Sequence, residues 1–172
     1  MNDRHVVSIF YRIAFPVALV LLAISLGVHL ITFLPINVED KFPPVFLLHL
    51  VIFILFIPLV FIDRVLPKTN SKSDIVPVWM RGCYLVIGAY VLFNFLYFLM
   101  NAAGNPEIDG GRYFLKNHGV VIRELTLQEY NAESARVLHG FSGHWLIFYF
   151  YIACSSYLGM KSIKTQDSTE LK

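Results

Sequence analysis

Six histidines stand in the chain, and their positions suggest chemistry more than their number does. His29, His49 and His144 each fall inside a long uncharged stretch. Counted at ~1.5 Å of helix per residue, each lies roughly 5–9 Å from the same end of its stretch. Asn94, in a further stretch, falls at that level too. Each of the apolar stretches thus brings one nitrogen-bearing polar side chain to a common layer. Three imidazoles on facing helices suit Zn, Cu, Fe or Ni. A facing pair suits the axial positions of a haem b. In that reading His29, His49 and His144 are the metal ligands, and Asn94 orients one of them by hydrogen bonding. The competing reading is structural, because imidazoles also join helices by ordinary hydrogen bonds. His139 stands five residues before His144, about 140° away round a helix, so it is expected on another face, at a boundary. His118 falls in a turn, and His5 lies near the N-terminus.

No catalytic signature accompanies the histidines. The sequence holds no GxGxxG, Walker A, HExxH or GxSxG pattern, and nothing in it points to an enzyme. The four-helix di-haem cytochromes of the b561 type carry histidine pairs near both membrane faces. This sequence has none in its inner half, and the likeness stops at span count and at His in spans one, two and four.

The elements that must position these residues follow from composition. Hydrophobic residues make up 56% of the 172 and charged residues 15%, against about 25% charged in a typical soluble domain. Uncharged stretches run over 13–34, 43–62, 82–100 and 141–160. Each matches the roughly 20 residues a helix needs to cross a ~30 Å hydrocarbon core. Backbone groups in lipid must be bonded internally, which favours helices. The expected fold is therefore an all-α integral membrane protein, an antiparallel four-helix transmembrane bundle forming one domain over 1–172. The first apolar run exceeds the 7–15 residues of a cleavable leader, so it is expected to be retained. The proline at 16 and that at 58 are candidates to kink the first two spans.

Four crossings put both termini on one side. That side holds nine Lys and Arg residues, the other five. Cytoplasmic loops are rich in these residues, so both termini are expected in the cytoplasm, at a plasma membrane or a bacterial inner membrane. A net charge of +2 gives no nucleic-acid footprint. Cys83 and Cys154 fall toward the cytoplasmic ends of their spans, without a CxxC, and read as small buried hydrophobes.

The outer segment over 101–140 is too long for an idle connector. Residues 101–111 read as irregular loop. Arg112–Lys116 and Val120–Leu125 read as strands of a hairpin turned at Asn117-His118-Gly119. Thr126 and Glu129 then form a capping-box pattern that opens a helix running into the fourth span. Gly140 and Gly143 at that junction allow a bend or a close helix approach. Trp79 and Trp145 are expected at opposite interfaces, and Phe148, Tyr149, Phe150 and Tyr151 in helix packing. The polar run 68–74 reads as a plain connector, and the tail after Met160 as frayed.

These readings lead to an accessory or assembly subunit. It would dock a membrane-protein partner, or a second copy of itself, through its outer β-hairpin-plus-helix cap and aromatic spans. The alternative is a metal- or haem-binding protein for redox, sensing or metal handling.

Overall fold

A computed structural model describes residues 3–65 and 76–170. The connector at 68–74 lies outside the described residues. The elements in chain order are α1 (Asp3–Ile31), α2 (Val38–Lys41), α3 (Leu47–Val65) and α4 (Val78–Met100), followed by β1 (Asn105–Asp109), β2 (Arg112–Asn117), β3 (Val120–Leu125) and α5 (Leu127–Glu170). A 3₁₀ turn over Pro43–Phe46 leads into α3. Among the described residues, four helices are long and apolar enough to cross a membrane by length and composition: α1, α3 with its preceding turn, α4 and α5.

The long helix α5 is the hub. It packs along α1 and against both α3 and α4, whereas α1 and α4 share no extended packing. The reason is written on α1. Tyr11, Ala14, Ala18, Ser25, Val28 and His29 recur at spacings of three, four and seven and are buried together, while its remaining surface carries exposed Ile, Leu and Val. Small side chains let two helix backbones approach closely when lipid offers no hydrophobic drive to association. Named pairs fix the directions. On α1, His29 meets Ser142 and Thr32 meets His139, so α1 runs antiparallel to α5. On α4, Tyr84 packs on Phe150 while Asn94 bonds at His139, which makes α4 antiparallel as well. On α3, His49 meets Trp145 and Phe56 meets Tyr151, so α3 runs parallel to α5.

The junction glycines act by close approach. A Cβ at Gly140 would overlap the ring of Phe98, and one at Gly143 would strike the amide nitrogen of Asn94. The helix passes through both without a break. It also continues to Glu170, past the tail that sequence alone leaves frayed. Pro16 and Pro58 lie inside α1 and α3. α1 ends at Ile31, four residues before Pro35.

The cap is a three-stranded antiparallel sheet in the order β1-β2-β3, one strand more than a hairpin. Gly110 and Gly111, at φ 56° and 77°, form the two-residue turn between β1 and β2. His118 and Gly119, at φ 48° and 82°, form the second turn. Positive φ at both central residues gives the twist that a tight hairpin needs. The irregular loop expected over 101–111 contains this strand, although it carries Pro106. Proline is tolerated on an edge strand, and β1 is an edge. The sheet rests on the start of α5 through Leu115, Leu125 and Tyr130, with Tyr113 and Tyr130 rings 4.9 Å apart.

Candidate functional site

The polar residues of the bundle collect at the end that carries the cap, where α1, α4 and α5 meet. His29 on α1 and His139 on α5 stack with ring centroids 4.3 Å apart and planes 22° from parallel. Each histidine is followed three residues later by a hydroxyl, Thr32 and Ser142. Three residues bring a side chain back to the same helix face, and the two helices exchange these hydroxyls. His29 Nδ1 lies 2.7 Å from Ser142 Oγ, and His139 Nδ1 lies 2.8 Å from Thr32 Oγ1.

Each hydroxyl has one proton to give. Thr32 donates it to the carbonyl of His29 at 2.6 Å, and Ser142 donates to the carbonyl of His139 at 3.3 Å. The ring Nδ1–H of each histidine is therefore the donor to the hydroxyl on the other helix. Its Nε2 is then an acceptor. For His29 that acceptor takes the phenol hydrogen of Tyr90 on α4. Asn94 Nδ2, also on α4, donates to the His139 carbonyl at 3.1 Å. A closed, reciprocal set of bonds thus ties three helices at one level. Burial makes such a set consequential, since a buried donor or acceptor left unpaired costs ~1–3 kcal/mol.

Beside this set lies a cavity of about 620 Å³. Phe33 and Leu34 wall it on the α1 side, Phe93 and Tyr97 on the α4 side, and Arg136 and His139 line it from α5. It lies between α1 and α4. Arg136 is held on two sides. Its Nε donates to Glu133 at 2.7 Å and its Nη2 to the carbonyl of Gly104 at 3.2 Å. Its guanidinium lies over the Phe98 ring, 5.9 Å from the centroid. Its Nη1 is buried and has no hydrogen-bond partner.

The residues singled out by sequence are distributed differently from the expected layer. His29 is in the set just described, with both ring nitrogens engaged. His49 accepts at Nδ1 from the indole of Trp145 at 3.2 Å, in a separate groove of about 280 Å³. His144 meets the carbonyl of Gly140 one turn back at 3.2 Å and packs against Phe95. Among the described residues, no group of three His, Cys, Asp or Glu side chains is placed to hold a metal ion. Common depth did not become common direction, because depth fixes only height along a helix and not the azimuth of the side chain. Asn94 does bond at this level, to His139 rather than to one of the three. His139 lies on another face than His144, as their spacing predicts: it meets His29 and Thr32, while His144 meets Phe95 on α4. Trp145 is fully buried. The aromatic run of α5 packs against α3 and α4, with Phe148 on Phe56 and Phe150 on Tyr84.

Thr32, Tyr90, Arg136, His139 and Ser142 were not among the expected site residues. A signal for three of them, Thr32, His139 and Ser142, was present: a histidine followed at the third place by Ser or Thr on two helices. No family model, curated protein or solved structure matches this chain.

Proposed function

We propose that this chain is a four-crossing membrane protein with cytoplasmic termini that serves as an accessory subunit of a membrane assembly. Its cap docks an extracytoplasmic partner by adding a strand at β3. The four apolar helices and the nine-to-five distribution of Lys and Arg support the placement. The observation that carries the docking is the state of β3. It is a sheet edge with exposed side chains on both faces from Val120 to Glu124, and only Leu125 is buried. Val120, Val121 and Ile122 are 69%, 49% and 50% exposed. An apolar edge of this kind presents unpaired N–H and C=O groups to another strand. The opposite edge, β1, is blunted by Pro106 and by the ion pairs of Lys116 with Glu107 and Asp109, each at 3.2 Å.

A photoreactive amino acid at Val121 tests the reading in intact cells. The expected result is one protein adduct of discrete mass, lost when Val120→Asp is introduced. Adducts to lipid alone, or none, would contradict strand docking.

A further inference from the structure

The geometry points to the cavity between α1 and α4 as a binding site for one membrane phospholipid. Its phosphate would accept from the Arg136 guanidinium, and a hydrogen-bond donor on its headgroup would meet His139 Nε2. The inference rests on the membrane placement proposed above. Arg136 and His139 line the same space. Arg136 Nη1 is a buried donor without an acceptor. Because the His139 Nδ1–H is spent on Thr32, its Nε2 is a bare acceptor. The two residues are three apart on α5, so they are neighbours on one face. A ligand that satisfies both carries an acceptor oxygen and a donor hydrogen close together.

Depth agrees with a lipid head. Arg136 and His139 precede the apolar run of α5, which begins at Phe141, by five and two residues. Counted on α5 at ~1.5 Å per residue they lie roughly 3–8 Å before that run, while their neighbours His29 and Asn94 lie inside the apolar stretches of α1 and α4, so the site straddles the boundary between headgroups and hydrocarbon. Below them the walls are aromatic and aliphatic. Phe33, Phe93 and Tyr97 are more than 60% exposed at the mouth, where acyl chains would leave sideways between the two helices. The volume lies within the ~300–1,000 Å³ usual for ligand sites, enough for a head and the start of its chains. The Arg136–Glu133 pair leaves the site near electrical neutrality, so the fit depends on hydrogen bonding more than on net charge. Phosphatidylethanolamine offers an ammonium donor and phosphatidylglycerol a hydroxyl donor, whereas phosphatidylcholine offers the same phosphate with none.

The test uses the full chain, delipidated and reconstituted in vesicles of equal parts phosphatidylcholine, phosphatidylethanolamine and phosphatidylglycerol, then released in mild detergent for native mass spectrometry. One retained lipid per chain is expected. Phosphatidylethanolamine or phosphatidylglycerol should exceed phosphatidylcholine by about tenfold, the ratio of one good hydrogen bond at ~1.4 kcal/mol; whichever dominates identifies the donor. His139→Phe should erase the preference over phosphatidylcholine while a lipid is still retained. Ala132→Trp, on an exposed lining position, should block retention without removing a polar contact. Equal retention of the three lipids, no retained lipid, or retention unaffected by Ala132→Trp would overturn the assignment. A chain that dissolves without detergent would instead mark failure of the membrane placement.

Discussion

At the scale of single residues, the account turns on His29 and His139 exchanging hydroxyls across two helices. Ser142→Ala removes the acceptor of a buried Nδ1–H and is expected to cost about 1–3 kcal/mol. Thr32→Val does the same for His139. Because both bonds close one loop through the stacked rings, the two losses should not add. A double-mutant cycle, read by unfolding in detergent, should give a coupling of about 0.5–3 kcal/mol. Additive losses would mean that the two bonds are independent. This loop was only half legible in the sequence. The spacing from His29 to Thr32 and from His139 to Ser142 predicts that each pair shares a face. Which faces would meet depends on helix rotation, which hydropathy does not encode when the surroundings are lipid. The same blindness let His49 and His144 seem convergent. Arg136 was hidden for a different reason, since only the fold shows that one of its nitrogens is buried without a partner.

At the scale of elements, close approach and turn geometry do most of the positioning. Gly140→Leu would drive a side chain into Phe98 and is expected to cost about 1–3 kcal/mol by overpacking, measured as a lower melting temperature. Gly119→Val should break the second hairpin, because its φ of 82° is unfavourable for a β-branched residue. Loss of amide protection over 112–125 would register it. The start of α5 is a capping box as its sequence predicts. Glu129 N donates to Thr126 Oγ1 at 3.2 Å, and Thr126 N donates to Glu129 Oε2 at 2.8 Å. Thr126→Ala should therefore cost about 0.5–2 kcal/mol. Glu129 lies at the solvent end of α5, well before its apolar run. The Thr126 backbone N–H, with help from Arg123 and the Thr126 hydroxyl, holds its carboxyl down to about 2, from 4.5. A depressed carboxyl stabilises the fold above the unfolded value and ceases to do so as pH falls through the folded one. The Thr126 amide resonance should thus report loosening of this turn between pH 4.5 and 2, and Glu129→Gln should abolish that pH dependence. The second hairpin and the box were readable because local chemistry decides them. The first hairpin carries Pro106, whose tolerance depends on β1 being an edge, a fact of the assembled sheet.

At the scale of the whole molecule, the chain is built around α5. At ~1.5 Å per residue its 44 residues reach roughly 66 Å, about twice a hydrocarbon core. One helix therefore serves both the bundle and the cap. Its apolar part gathers α1, α3 and α4, and its first turns hold the sheet with Leu125 and Tyr130. The strand edge at β3, the hydroxyl-histidine lock and the cavity at Arg136 all lie toward one end of it. Their roles depend on that end facing outward. The most direct test places single cysteines at Glu124 and at Lys172, with Cys83 and Cys154 replaced by serine and alanine. Intact cells are then exposed to a membrane-impermeant maleimide. The cysteine at 124 should label at once, and that at 172 only after permeabilisation. Labelling of 172 in intact cells with 124 protected, or labelling of both, would contradict the placement on which the account rests.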